Sequence, residues 1–245
     1  MESVKTKKYS KYYRGFIDSR IGGRAENQDT WGYMETKTGL LITVCDGMGG
    51  AAGGKTASLI AVSEIFRGVE ESDAQDTPVM ILQKAIRRAN LAIIQKASED
   101  PSLKGMGTTV TALLLNQQSA ILAHAGDSRI YQFRGKSKVF RTFDHSMVFD
   151  LVKQKVITEE QARLSAQSNV INRALGIKPD IEVDIEERAY EAGDRFLLCT
   201  DGVCGAFPEE KLIHLVTGKN FPLVLESLMT KVDSIGNDTG EIMII

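Results

Sequence analysis

The sequence predicts an α+β fold in which two antiparallel sheets pack together with helices outside. Two observations carry this reading. The stretch 108–143 is a succession of β-rich runs separated by turn residues, the pattern of an antiparallel meander. Helical patterns are nested between strands early in the chain and return late, an order that fits neither a βαβ alternation nor an all-β sandwich.

The elements follow in order. Tyr12–Asp18 and Trp31–Thr36 read as strands around a Gly22-Gly23 turn. Leu40–Cys45 is an apolar, β-branched run bounded by turn residues, hence a buried strand. A glycine-rich stretch, Gly47–Gly54, follows it. Ala57, Leu59, Val62 and Phe66 then recur at helical spacing, predicting a helix from the end of the glycines to about Arg67. Thr77-Pro78 is a cap followed by an N1 proline. It starts a long helix whose apolar face is Leu82, Ile86, Ala89, Ile93 and Ala97, with Pro101 beyond its end. The meander comprises Thr108–Leu115, Ala120–His124, Arg129–Phe133 and Lys138–Phe143. Met147–Gln154 and Thr158–Ser165 read as short helices, and the apolar Met147, Phe149 and Leu151 are assigned to the core. Ile181–Ile185 alternates like a strand, and Arg195–Cys199 is a further strand. Helices are expected at Glu209–Val216 and Pro222–Val232, and Ile242–Ile245 closes the chain as a strand.

At 245 residues the chain suits a single domain, 1–245. Its net charge of −2 comes from 30 basic and 32 acidic residues in mixture, which argues against a nucleic-acid or membrane-binding surface. Cys45, Cys199 and Cys204 lack metal-ligand spacing, and an odd count without a disulfide pattern suits a reducing compartment. The basic, tyrosine-rich start has no apolar core of a signal peptide, and no apolar run is long enough to span a bilayer. A cytoplasmic monomer is the expectation.

Four strand ends present a carboxylate beside Gly, Asn or Gln: Asp46 after Leu40–Cys45, Asp201 after the run Phe196–Cys199, Asp238 before the last strand, and Asp29 before Thr30–Tyr33. Any one of them reads equally well as a turn-capping residue. Four together fit a shared polynuclear site better. The ligands are hard oxygens, which suit Mg²⁺ or Mn²⁺, and the few histidines with no Cys/His cluster argue against zinc. Carboxylates brought together without cations repel and take up protons. Two divalent ions remove that strain and lower the pKa of bound water to about 7, giving a hydroxide nucleophile whose natural target is a phosphoester. Arg24, close to Asp29, is placed to grip phosphate oxygens in a bidentate manner; a plain surface arginine is the other reading.

Seven motifs occur in a set order: R-A-E-N-Q-D at 24–29, V-C-D-G-M-G-G at 44–50, G-M-G-T-T-V-T-A at 105–112, H-A-G-D-S-R-I-Y at 124–131, N-V-I-N-R-A-L-G at 169–176, L-L-C-T-D-G-V at 197–203 and N-D-T at 237–239. In this the chain resembles the bacterial metal-dependent protein serine/threonine phosphatases of type 2C, the PPM family, from about Arg14 to Ile245. The resemblance implies a four-layer α-β-β-α sandwich and Mn²⁺- or Mg²⁺-dependent dephosphorylation of phosphoserine and phosphothreonine. It implies that Asp46 bridges two metals and that the Gly47 carbonyl serves one of them. Asp201 and Asp238 hold the other, with Asp29 a ligand directly or through water. It implies that Arg24 binds phosphate, and that Asp127 joins a third, weaker metal; from its own surroundings Asp127 reads as a hairpin-turn residue. Arg129 reads as structural. The segment 144–176 corresponds to a flap beside the active site that influences substrate choice. Phosphoproteins, and a serine/threonine kinase whose work is reversed, are the implied partners.

The chain departs from the family pattern in four places. Gln28 stands where some members carry a metal-contacting glutamate. Ala51 and Met48 stand where histidines occur in bacterial and animal members respectively, and Thr239 replaces the usual asparagine. No histidine in these motifs can protonate the leaving oxygen, so water is the candidate acid. His145 reads as structural or substrate-facing. A phospho-binding or regulatory module that kept the fold and lost turnover is the alternative function; a phosphatase acting on an anti-sigma-factor antagonist shares the chemistry and differs in substrate.

Overall fold

The computed structural model describes residues 5–8, 13–218, 226, 229–230 and 240–244. The chain begins with β1 (Lys5–Lys8), β2 (Arg14–Arg20), β3 (Thr30–Thr36), β4 (Gly39–Cys45) and the short β5 (Gly47–Met48), then the helices α1 (Gly50–Glu70) and α2 (Pro78–Glu99). The strands β6 (Gly107–Thr108), β7 (Val110–Leu115), β8 (Ala120–Ala125), β9 (Arg129–Arg134) and β10 (Ser137–Arg141) follow. Two short helices, α3 (Met147–Lys153) and α4 (Glu159–Arg163), precede β11 (Asp184–Arg188) and β12 (Arg195–Cys199). Helices α5 (Asp201–Cys204) and α6 (Glu209–Val216) and strand β13 (Gly240–Ile244) complete the order.

Two large antiparallel sheets result, one ordered β11-β8-β7-β4-β3 and the other β1-β2-β13-β12-β9-β10, and β5 pairs with β6 in a separate two-stranded ribbon. The alternation of side chains along β4 shows how they stack. Leu41 and Cys45 point to a core shared with α1 and α2, which includes Ile65, Leu82, Ile86 and Ile93. Leu40, Ile42 and Val44 point the other way, into a second core with Ile17, Ile130, Phe196 and Leu198 of the facing sheet. On the far side of that sheet, Tyr131, Phe133, Leu197 and Cys199 pack against Val203, Phe207, Leu212 and Val216 of the α5–α6 region. Helices, sheet, sheet and helices thus form four layers, and the α-β-β-α expectation holds. A small fourth cluster, Val148, Phe149 and Ala162, lies within α3–α4.

Several local expectations need correction. The central runs are not one meander. β7 and β8 pair with each other, but β9 and β10 belong to the opposite sheet, where β9 pairs with β12. Gly126-Asp127-Ser128 is therefore a crossing between sheets, not a hairpin turn. The glycine-rich stretch is helical from Gly50 onward, and Gly53 and Gly54 let the first turns of α1 pack closely on Met106, Gln28 and the Gly47 main chain. The strand expected at 181–185 is instead β11, starting at Asp184. Ile181 and Val183 are apolar because they pack against the helical core, not because they pair. Phe149 is buried as expected, while Met147 and Leu151 are exposed. The Thr77 side chain caps α2 as read, accepting from the Met80 N–H. The helix expected at 222–232 lies mostly outside the described residues.

Candidate metal centre and active site

Asp46 leaves β4 at the end of the sheet, and its main chain is held on both sides. Its N–H donates to Thr109 Oγ1 at 2.9 Å, and its carbonyl accepts from the Thr109 N–H and from Thr108 Oγ1, each at 2.8 Å. Gly47 follows because nothing larger fits: a Cβ there would sit 2.1 Å from the Gly54 carbonyl oxygen. Gly47→Ala forces the start of α1 away from β5. We expect it to destabilise the protein by about 1–3 kcal/mol, the usual cost of overpacking, read as a lower denaturant midpoint.

Asp201 opens α5 where β12 ends. The preceding Thr200 donates its hydroxyl to Asp29 Oδ2 at 3.1 Å, and Asp29 is itself buried. Asp127 sits in the crossing between β8 and β9. Gly126 before it has φ 117°, and a Cβ there would lie 2.6 Å from Thr109 Cγ2, so only glycine suits the turn. Burial first, then the nearby carboxylates of Asp201 and Asp144, push the Asp127 carboxyl well above the usual carboxylate range.

Asp46, Gly47, Asp127 and Asp201 line one cleft of about 470 Å³, together with Arg24 and Gln28. The structure thus brings together Arg24 and three of the expected carboxylates. Asp29 does not line this cleft; it lies against Thr200, next in sequence to Asp201. Asp238 and Thr239 lie outside the described residues. Glu26, Thr109, Asn169 and Ile171 also line the cleft and were not singled out from sequence. All four belong to motifs quoted above, which was the available signal.

The Gln28 amide donates to the Gly50 carbonyl at 2.8 Å. A carboxylate could not make that bond, so this departure from the family has a local structural use. Among the described residues, no imidazole or thiol lines the cleft. Its donor set of carboxylates, with burial and mutual repulsion raising one of them, fits a hard divalent cation.

Comparison with known proteins agrees with this geometry. The family pattern described as "Protein phosphatase 2C" matches residues 18–231. The serine/threonine phosphatase stp of Listeria innocua is 33% identical over 220 residues, covering 88% of this chain and 87% of that protein. The crystal structure of serine/threonine phosphatase Stp1 from Staphylococcus aureus superposes with a TM-score of 0.86 at 26% identity, covering 94% of this chain and 93% of that one. The catalytic domain of serine/threonine protein phosphatase PstP, solved in complex with two manganese ions, superposes with a TM-score of 0.78 at 30% identity, covering 94% and 96%. With the family pattern spanning most of its length and residues from six of the seven motifs lining one cleft, the chain belongs to the protein phosphatase 2C family.

Proposed function

We propose that this chain is a protein serine/threonine phosphatase that removes phosphate from phosphoserine and phosphothreonine using Mn²⁺ or Mg²⁺ held at the cleft. The observation that carries this is the convergence of Asp46, Asp127 and Asp201 on a cleft also lined by Arg24. Asp46 and Asp201, with Gly47 beside them, would hold two ions, joined by Asp238 and by Asp29, directly or through water; Asp127 would hold a third. Bound divalent ions supply an acidified water as nucleophile and offset the charge on the phosphoryl group. Arg24 orients the phosphate through its planar fork of donors. Thr109 and Thr108 hold Asp46 in place. None of the three histidines lines the cleft, so the proton for the departing seryl or threonyl oxygen comes from water. The segment 144–176 would act as a flap of a single catalytic domain, reaching the cleft through Asn169 and Ile171.

Substrates on this reading are phosphoproteins, and the kinase that phosphorylates them is the functional counterpart. The free, buried cysteines suit a reducing cytoplasm, and a monomer is part of this reading. No helix among the described residues is long and apolar enough to cross a membrane.

The test is phosphate release from a phosphothreonine peptide by protein stripped with EDTA and then resupplied with Mn²⁺ or Mg²⁺. Turnover should vanish on stripping and return with metal. Peptide binding with no phosphate release at any metal concentration would point instead to the phospho-binding module.

A further inference from the structure

Outside the cleft, His124 at the end of β8, His145 before α3 and Asp184 at the start of β11 have potential ligand atoms within 4.8 Å of one another. The hydrogen bonds decide what this cluster is. The His145 main-chain N–H donates to the Gly126 carbonyl at 2.8 Å, and the Gly126 N–H donates back to His145 Nδ1 at 3.2 Å. Nδ1 therefore carries a lone pair, and the proton of the neutral ring sits on Nε2. Nε2 lies 3.1 Å from Asp184 Oδ2, an acceptor that matches this tautomer. Arg173 in turn grips Asp184 Oδ1 at 3.0 Å and Glu182 at 3.1 Å. The His124 ring lies against His145, with centroids 4.6 Å apart and planes tilted by 31°. Both its nitrogens are buried without a hydrogen-bond partner, and burial above all lowers its pKa to about 3, so it backs the His145 ring as a neutral wall.

Gly126 immediately precedes Asp127. On the other side of Asp127, the Ser128 hydroxyl bonds Thr109 Oγ1 at 2.8 Å, the same atom that accepts from the Asp46 N–H. The turn that presents Asp127 is thus pinned at both ends, by His145 on one side and by the Thr109 link to Asp46 on the other.

We propose that His145, held in one tautomer by Asp184, is a positioning residue that fixes the Gly126-Asp127 turn and so sets the affinity for the cation that Asp127 helps to hold. This rests on the phosphatase reading for its consequence in turnover, but not for its consequence in metal binding. A metal seated within the His124–His145–Asp184 cluster is disfavoured by the same geometry. One His145 nitrogen is committed to Gly126, the other bears a proton, and the Arg173 guanidinium, 3.3 Å from Nε2, already supplies positive charge.

The test uses the full chain with His145→Leu, His145→Asn and Asp184→Ala. Asn can offer its amide oxygen to the Gly126 N–H where Nδ1 was, and Leu cannot. Mn²⁺ binding followed by calorimetry should weaken for the most loosely held ion by about 10–100-fold in His145→Leu, the range typical when a metal ligand loses its supporting partner. It should stay within a few-fold of wild type in His145→Asn. Asp184→Ala removes the acceptor facing Nε2 and leaves the Arg173 guanidinium, a donor, 3.3 Å from it. Long-range ¹H–¹⁵N spectra of that variant should show His145 losing its single Nε2–H form, with Mn²⁺ binding weakened and the melting midpoint little changed, because the Asp184 side chain is largely exposed. At saturating Mn²⁺ the kcat of Asp184→Ala should return to near the wild-type value. Wild-type Mn²⁺ binding in both His145→Leu and Asp184→Ala would overturn the proposal. So would a tight Zn²⁺ ion, bound in the presence of saturating Mg²⁺ and lost on His124→Phe, which would make the cluster a metal site. Should His145→Leu fail to fold, Asp184→Ala alone decides. A wild-type chain that binds Mn²⁺ but releases no phosphate sinks the phosphatase reading while leaving these binding comparisons intact.

Discussion

Asp201→Asn is expected to abolish turnover of a phosphothreonine peptide while leaving the metal-free fold intact. The substitution keeps the shape and removes the charge. Two contacts at the start of α5 are kept by Asn: the Asp201 carbonyl accepts from the Gly205 N–H, and the Thr200 hydroxyl carries the link to Asp29. Without cations the Asp201 carboxylate is a cost to the fold, because with burial it raises the pKa of Asp127. Removing its charge relaxes that repulsion, so the stripped variant should unfold no earlier than the stripped wild type. Turnover should fall at least about a thousand-fold, beyond the roughly 10²–10³ seen when one preorganised electrostatic group is lost, because cation binding itself is impaired. Thermal melts in EDTA and phosphate-release assays in Mn²⁺ check the two halves. Near-wild-type turnover would remove Asp201 from the metal site.

Asp144→Asn is expected to have the largest effect on stability. Asp144 and Arg129 form a buried pair with both fork contacts at 2.6 Å and side-chain exposures of only 7% and 9%. The guanidinium also lies over the Phe149 ring of α3 at 5.0 Å, and it donates to the Tyr131 hydroxyl at 3.2 Å. Arg129 comes two residues after Asp127 and Asp144 begins the proposed flap, so the pair ties the flap's root to the strand that leads from the cleft. Removing one partner strands a charge in the interior, which costs about 3–5 kcal/mol. Replacing both by apolar residues, Arg129→Met with Asp144→Leu, should recover much of that loss, because the desolvation of the pair disappears along with its attraction. Urea unfolding of the two single variants and the double measures this. Additive losses in the double variant would mean that the side chains act independently, against the paired geometry.

The four-layer fold was legible because its strands announce themselves twice over. β12 runs from Arg195 to Cys199 as the apolar run predicts, and α2 begins at the Thr77-Pro78 signal. Which sheet each strand joins was not legible. β8 and β9 look like hairpin partners because only three residues separate them, yet those residues carry the chain from one sheet to the other. The same misreading made Asp127 look like a turn residue by its own surroundings, and only the family motif pointed to the cleft. Asp46 and Asp201 could be read from strand ends followed by glycine. Glu26 could be read only as a member of the 24–29 motif, since on its own it is indistinguishable from a surface glutamate. The His124–His145–Asp184 cluster was invisible for another reason. Its members lie on separate elements far apart in sequence, and they meet only when β11 pairs with β8, placing Asp184 opposite His124.

Counting ions tests most directly whether carboxylates from separate strand ends share one polynuclear site. Calorimetric titration of the EDTA-stripped chain with Mn²⁺ should give at least two ions per chain, with Asp46→Asn weakening more than one of them if, as proposed, Asp46 serves both. A stoichiometry of one or none in the wild type would contradict the shared site.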